Sequence, residues 1–265
     1  MSAGELDFSH VKRRARALDV GRVHLDDRDR ALVVASWRSR MTFEYASARV
    51  FGDMVGQAMR AGLPPRVVAD VARMSTEEIR HAEACAEVLV NLDAEPSCPA
   101  LDALPAAARH DDAAPRVAFA RNVASVGCAS ETVAVALVES ERAIAATPDL
   151  ERVLTGILRD EIGHARLGWT ALRKIVAELD ARERREVDRY LPSLFEHQLR
   201  HYGRLADFPE TTERARRAGA PDGKASLRLF WETLEGVIVP GLEASGLDAR
   251  AGLATAIART TARAA

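Results

Sequence analysis

Four stretches of this chain carry apolar residues at alternating steps of three and four, and polar residues interrupt each of these rows near its middle. A row of this kind forms the face of an α-helix that packs against other helices. The interrupting residues are Glu44, Glu78, His81, Glu131, Glu161 and His164. Because a buried unpaired carboxylate is strongly destabilising, we expect these six side chains to meet where something compensates their charge.

Turn signals divide the four stretches into two helical hairpins. We expect helices over 27–61, 65–91, 116–146 and 148–179. A glycine followed by two prolines, at 62–65, separates the first two helices, and an N-cap threonine with proline at the first helical position, Thr147-Pro148, separates the last two. The segment from Asp93 to Pro115 has no steady period and reads as one long crossover. The sequence therefore predicts an all-α protein built on a four-helix bundle.

The composition agrees with a helical protein in three regions. Apolar residues make up 48% of the 265 residues but aromatic ones only 5%, so the core consists mostly of alanine, leucine and valine, of which alanine and leucine favour helix. We expect residues 1–26 to form an N-terminal arm and residues 27–180 the bundle. Residues 181–265 are expected to form a C-terminal extension of further helices packed on the bundle.

The glutamates of each hairpin lie at matching heights. Glu44 and Glu78 are equally far from residue 61, and Glu131 and Glu161 are equally far from residue 146. Residues equidistant from the turn of an antiparallel hairpin face each other, because both helices rise by the same amount per residue. Each hairpin should therefore set one glutamate opposite a Glu-x-x-His pair.

Two other glutamates of the third helix compete with Glu131 for a place in this cluster. Glu139 lies off the apolar row and is closer to the turn than Glu161 is. Glu141 lies at the end of the row that we expect to be exposed. Glu131 is therefore the predicted partner.

Metal cations would compensate the charge of four converging carboxylates, because no lysine or arginine lies on the four rows. Oxygen-rich ligation with one imidazole per metal suits iron or manganese better than zinc, which prefers histidine and cysteine. The i, i+3 spacing of each Glu-x-x-His pair would let one helical turn hold neighbouring positions of a two-metal centre.

With Glu44, Glu78-Ile79-Arg80-His81, Glu131 and Glu161-Ile162-Gly163-His164, the chain resembles the ferritin-like di-iron carboxylate proteins. These include ribonucleotide reductase small subunits, bacterial monooxygenases, desaturases, arylamine N-oxygenases and rubrerythrins. The resemblance covers Asp27 to Leu179. It implies a ferritin-like bundle in which these six residues hold two iron ions, or one manganese and one iron.

The same resemblance implies a supporting role for the acidic residue before each Glu-x-x-His motif. Glu77 and Asp160 occupy these positions, and each is expected to orient the metal-bound histidine of the opposite repeat. The chain departs from the reductase pattern in having Cys85 where that family has a radical-forming tyrosine. This argues against a tyrosyl-radical subunit and is closer to the monooxygenases.

Small residues cluster beside the expected ligands on the third and fourth helices. Gly127, Cys128 and Gly168, together with Cys85, are candidates for lining an apolar pocket next to the metals. Glycine inside a helix costs about 1 kcal/mol relative to alanine, so such a cluster indicates either a need for space or close helix packing. The sequence leaves both readings open.

The resemblance implies a redox enzyme that uses O₂ to hydroxylate, N-oxygenate or desaturate a small organic substrate. Electrons would come from an external ferredoxin or reductase, because the chain shows no flavin or nicotinamide fingerprint and no cysteine cluster. We expect a homodimer. The alternatives are a ferritin- or rubrerythrin-type protein that handles iron or scavenges peroxide, and a metal-free helical partner subunit.

Charge and cysteine usage exclude other classes. The formal net charge of −2 provides no field for nucleic acid or an anionic membrane, and a basic run at 12–16 is short enough to be a solvated surface. No apolar stretch approaches the ~20 residues of a membrane span. Three scattered cysteines and a start without a signal-peptide pattern predict a cytoplasmic protein. His197 and His201 form a helical pair outside the bundle, which we expect to be solvated or to cap a helix, with a ligand role as the alternative.

Overall fold

The computed structural model describes residues 4–13, 17–21, 24–99 and 106–264. They are mostly helical, which confirms the all-α prediction. The four long helices are α1 (Asp27–Arg60), α2 (Pro65–Asn91), α3 (Pro115–Arg142) and α4 (Pro148–Glu178). The first two match the expected boundaries, whereas α3 ends four residues before the expected Ala146, and residues 143–147 form the turn.

The turn between α1 and α2 has the hydrogen bonds of a Schellman motif. The backbone N–H of Leu63 donates to Ala58 and that of Gly62 donates to Met59, with Gly62 at φ +67°. Further along the hairpin, Ser75 Oγ donates to the carbonyl of Ala48. These contacts show that α1 and α2 run antiparallel.

The turn between α3 and α4 ends at a capped helix start. Thr147 Oγ1 accepts a hydrogen bond from the backbone N–H of Leu150, and Pro148 occupies the first helical position, as the sequence predicts. A long connection from residue 92 to residue 114 joins the two hairpins, and residues 100–105 of it lie outside the described part.

α3 contains a π-helical segment, Val123–Ser130, that the sequence analysis does not foresee. Ser130 Oγ donates to the carbonyl of Ser125, five residues earlier. Such segments are rare and often lie at functional sites. This one ends immediately before Glu131, so it sets the direction in which that side chain points.

Among the described residues, five further α-helices follow the bundle. They are α5 (Ala181–Asp188), α6 (Leu191–Gly203), α7 (Glu213–Arg217), α8 (223–244) and α9 (Ala249–Ala264). α6 contacts the π segment of α3 and packs on α9. The indole N–H of Trp37 in α1 donates to the carbonyl of Ala218, which ties the stretch after α7 to the bundle. The division into three regions remains a prediction.

The N-terminal segment lies against the bundle. Glu5–Asp7 (β1) pairs antiparallel with Ser97–Pro99 (β2), and Ser9–Arg13 forms a short 3₁₀ helix. These are the only strands among the described residues, and the sequence analysis does not predict them. Phe8 and Val11 are buried, while residues 14–16 of the basic run lie outside the described part.

The core consists of two apolar clusters with a polar layer between them. One cluster contains Met41 and Ile157, and the other contains Phe51 and Leu172. Along α1 and α4, the residues between these positions include the glutamates that interrupt the apolar rows. The polar layer is therefore enclosed by apolar side chains at both ends.

One helix of the described part, α3, is long and apolar enough to cross a membrane by length and composition. Half of its most apolar window is buried against the rest of the protein. This burial is what a core helix of a soluble protein shows. The cytoplasmic location remains a prediction.

Candidate metal centre

The bundle brings the six predicted ligands together in the polar layer. Their donor atoms form two overlapping groups, and within each group the atoms lie within 4.8 Å of one another. The first group is Glu44, Glu78, His81 and Glu161, and the second is Glu78, Glu131, Glu161 and His164. Each group therefore combines three carboxylates with one imidazole, and Glu78 and Glu161 belong to both.

Both histidines present the same ring nitrogen to this cluster. His81 Nδ1 lies 3.2 Å from Glu161 Oε1 and 3.5 Å from Glu78 Oε2, with Glu44 Oε2 at 3.6 Å. His164 Nδ1 lies 3.0 Å from Glu78 Oε1. The two Nδ1 atoms thus face the carboxylate oxygens. A cation between them would be bound by both the nitrogen and the oxygen atoms.

The other nitrogen of each histidine faces an acidic residue of the opposite hairpin. His164 Nε2 is 2.9 Å from Glu77 Oε2, and His81 Nε2 is 3.5 Å from Asp160 Oδ2, which is longer than a hydrogen bond. Glu77 and Asp160 thus lie next to the histidine of the opposite hairpin, and their role toward a bound metal stays a prediction. A carboxylate that accepts a hydrogen bond from Nε2–H keeps the lone pair of Nδ1 directed toward the cluster.

Salt bridges hold these two carboxylates in place. Arg73 Nη1 lies 2.8 Å from Glu77 Oε2, and Arg80 Nη2 lies 3.3 Å from Glu77 Oε1. Asp160 accepts a hydrogen bond of 3.0 Å from Arg159. The arginines lie at the surface and pair with the acids, which in turn face the buried histidines.

Burial shifts the pKa values of the cluster strongly. Burial raises the pKa of Glu44 to about 8, and the charges of its neighbouring carboxylates act in the same direction. Burial and the charge of Glu161 raise the pKa of Glu131 well above its usual range. Burial disfavours a charged His164, but the facing carboxylates of Glu131, Glu161 and Glu78 raise its pKa to about 12. Without a cation, the cluster therefore retains protons.

Unpaired buried atoms in the cluster fit a cation. Among the described residues, the buried side-chain atoms without a hydrogen-bond partner include Glu78 Oε1, Glu131 Oε2, His81 Nδ1 and His164 Nδ1. Native proteins leave few such atoms unpaired, because each one costs stability. Oxygen and imidazole donors are also the ligands that divalent cations take, so the residues fit a metal centre.

The sequence analysis does not foresee the buried arginine, Arg40, that lies near this layer. The guanidinium of Arg40 pairs with Glu141 and lies 4.9 Å from the centre of the Trp37 ring. The expectation that Glu141 is exposed is wrong, because its side chain is only 14% exposed. Burial disfavours a charged Arg40, but Glu141 raises its pKa, so the two form a buried ion pair beside Glu44.

Two of the small residues of α3 and α4 bring the two helices into close contact. A Cβ on Gly168 would lie 2.0 Å from the carbonyl oxygen of Gly127, so these two glycines allow the helix backbones to touch. Cys128 is fully buried in one apolar cluster, and Cys85 in the other. Gly127 and Gly168 therefore serve close helix packing, which is one of the two readings that the sequence leaves open.

Space exists on another side of the centre. A cavity of about 200 Å³ is lined by Glu44, Glu131 and, from α6, His197, Gln198, His201 and Tyr202. Sequence reasoning missed Gln198 and Tyr202. The pattern that indicated the candidate ligands could have found them, namely a polar residue within an apolar row. Both lie on the side of α6 that also carries the buried Leu191, Leu194 and Phe195.

His197 and His201 do not join the metal-like groups. His197 is exposed and His201 is half-buried, and their ring centres lie 6.3 Å apart. The expectation of solvated histidines therefore holds for His197 only, since His201 also packs edge-on against Phe43. Comparisons of this chain with models of protein families, with curated proteins and with solved structures find no match.

Proposed function

We propose that this protein is a non-haem di-iron oxidoreductase that activates O₂ on a ferritin-like four-helix bundle and oxidises a small organic substrate. The observation that carries the proposal is the pair of overlapping ligand groups that share Glu78 and Glu161. Sharing of two carboxylates is what a two-metal centre requires, since two isolated metal sites would need separate ligands.

Iron, or a manganese and an iron, is the proposed occupant. Each group offers three carboxylates and one imidazole, and this oxygen-rich set favours these metals over zinc. When bound, the two metal ions supply the electrons and open coordination positions that O₂ activation requires. The reaction would be a hydroxylation, N-oxygenation or desaturation.

The chain's own residues orient the centre and keep it dry. Glu77 accepts a hydrogen bond from His164 Nε2, which fixes the ring so that Nδ1 faces the cluster. Asp160 stands in the corresponding place for His81. The two apolar clusters exclude water from both ends of the layer, and this protects an oxidising site from side reactions.

The substrate and the reductant come from outside the bundle in this proposal. The cavity beside Glu44 and Glu131 opens the centre toward α6, where a small molecule fits. The three cysteines, Cys85, Cys98 and Cys128, are buried and unpaired, so they offer no cluster for electron transfer. A ferredoxin or reductase is therefore the proposed electron donor, and a homodimer the proposed assembly.

Anaerobic loading with Fe²⁺ followed by exposure to O₂ tests this function. We expect about two iron ions per chain and a change in visible absorption when O₂ is added. Binding of less than one ion per chain would contradict the proposed centre. Two bound ions without any response to O₂ would contradict the proposed reaction. Assembly into a large hollow cage that accumulates iron would favour the storage alternative instead.

A further inference from the structure

Two adjoining cavities lead from the surface to the candidate metal centre. The inner cavity, of about 200 Å³, has Glu44 and Glu131 in its wall. The outer one, of about 610 Å³, shares Phe43, Glu131, His197 and His201 with it and extends along α6 to Arg200. Together they form a passage between α1, α3 and α6. A ligand that fills this passage can therefore be bound at both of its ends.

The outer cavity presents a single unmatched positive charge. Arg200 is exposed, and among the described residues no acidic side chain forms an ion pair with it. The other charged residue at this end, Glu196, is paired with Arg259 at 3.1 Å. Partial desolvation of the ring and the charge of Arg200 lower the pKa of His197, so this histidine is neutral at pH 7. One guanidinium can bind one carboxylate through paired hydrogen bonds.

The wall between the two ends combines apolar side chains with the hydroxyl groups of Ser47, Ser125 and Ser193. Phe43, Val50 and Val126 line the outer cavity, and the ring of Phe43 is 48% exposed. Ligand pockets are lined mainly by apolar and aromatic side chains, with a few polar groups that fix the orientation of the ligand. The middle of the ligand should therefore be a hydrocarbon.

The inner end contains a buried acceptor without a donor. Gln198 is 1% exposed and lines the inner cavity, and its Nε2 donates to Ser130 Oγ at 3.0 Å. Ser130 donates its own hydroxyl proton to the carbonyl of Ser125, so it must accept from Gln198. This fixes the amide orientation and leaves Gln198 Oε1 unpaired. A ligand with an O–H or N–H group at this end would satisfy it.

We propose that the two cavities form one binding site for a small aliphatic monocarboxylate. Its carboxylate is held by Arg200, its hydrocarbon chain contacts Phe43, and its far end donates a hydrogen bond to Gln198 Oε1. The inference rests on the proposed function only in taking the far end as the part that reacts. Binding itself needs no metal.

Calorimetric titration of the full chain without added metal tests this site. The probes are hexanoate, its neutral analogue hexanamide, and the ω-hydroxy derivative of hexanoate. We expect hexanoate to bind at least about ten-fold more tightly than hexanamide, and Arg200→Gln to remove that difference. The control is Arg228→Gln, which removes an exposed arginine of α8 and should leave all affinities unchanged.

The second anchor is tested with Gln198→Met, which keeps the side-chain length but removes the acceptor. In the wild type the ω-hydroxy derivative should bind several-fold more tightly than hexanoate, and the variant should lose this preference while still binding hexanoate. Thermal unfolding of the variant shows whether it is folded. Equal binding of hexanoate and hexanamide would overturn the proposed site, and an unchanged ω-hydroxy preference in Gln198→Met would overturn the role of Gln198. If the chain binds iron but not hexanoate, this inference fails alone, and if it binds hexanoate but no iron, the proposed function fails alone.

Discussion

The two helical hairpins repeat the same ligand pattern on different backbones. α1 is a regular helix through Glu44, whereas α3 carries eight π-helical residues immediately before Glu131. Both routes deliver one glutamate opposite a Glu-x-x-His pair. The comparison shows that the position of the glutamates depends on the height at which the four helices meet. The hydrogen-bond pattern within each helix can differ.

The surroundings of the two glutamates differ more than the ligands do. Near Glu44 the structure buries the Arg40–Glu141 ion pair, and the thiol of Cys85 lies close by. Near Glu131 it places uncharged groups, Gln198 and Tyr202, beside a cavity. The two halves of the centre are therefore chemically unequal. An ion pair adjoins Glu44 and uncharged polar groups adjoin Glu131, while the same cavity borders both glutamates.

Among the substitutions that test this comparison, loss of a shared ligand should have the largest effect on metal content. Glu161→Ala removes a carboxylate from both groups, so we expect metal content to fall from about two ions per chain to nearly none. Glu44→Ala removes a ligand from one group only and should leave about one ion. Elemental analysis after anaerobic loading measures both variants, with circular dichroism as the control for folding. Two ions retained in Glu161→Ala would contradict the overlapping groups.

Much of this centre could be predicted from the sequence, because a carboxylate inside an apolar row has few alternatives to a ligand role. Glu78 and His81 share the inward face of α2 by their i, i+3 spacing alone, and the glycine–proline turn at 62–65 sets their height against Glu44. Local pattern and turn chemistry were enough for these residues. No contact between distant elements had to be known.

The rest depends on contacts that the sequence does not encode locally. The π segment of α3 has an ordinary small-residue composition, so its hydrogen-bond shift leaves no signal in the periodicity. Glu141 becomes buried only because α1 brings Arg40 against it. Gln198 could have been noticed as a polar residue in an apolar row. Which face of the bundle α6 covers is a matter of tertiary packing.

The pH dependence of metal binding distinguishes the two halves next. Because burial raises the pKa of Glu44 to about 8, a metal ion that binds beside it at lower pH must displace a proton. We expect Mn²⁺ affinity to rise by at least about ten-fold per pH unit from pH 6 to 8, and this slope to fall by one proton above pH 8. Chelator competition measures it. The change of slope at pH 8 should be absent in Glu44→Gln, and its persistence there would assign it to another group.

The metal-free protein should show the opposite trend in stability. The pKa of Glu44 is higher in the folded chain than its usual value of 4.5, so protonated Glu44 favours folding at low pH. That contribution is lost as pH rises from about 4.5 through 8, and the unfolding temperature should fall over this interval. Glu44→Gln should flatten the curve.

Glycine substitutions compare the packing of the two hairpins. Gly168→Ala would press a methyl group against the backbone of Gly127, and we expect it to lower the free energy of unfolding by about 2 kcal/mol. In the first hairpin, a Cβ on Gly52 would lie 3.7 Å from Ser75 Oγ, an ordinary contact. Gly52→Ala should therefore raise the free energy of unfolding by up to about 1 kcal/mol, through helix propensity. Urea unfolding of the metal-free protein measures both, and equal effects would mean that the hairpins pack alike.

The smallest expected effect concerns the acids behind the histidines. His164 Nε2 is within hydrogen-bond distance of Glu77, whereas His81 Nε2 lies 3.5 Å from Asp160. We therefore expect Glu77→Gln to weaken metal affinity by about ten-fold and Asp160→Asn by less than that. Both variants keep the size of the side chain and remove only its charge, so each serves as the control for the other. Competition titration with Mn²⁺ measures the two losses. A larger loss in Asp160→Asn than in Glu77→Gln would contradict this expectation, and it would mean that metal binding brings His81 closer to Asp160.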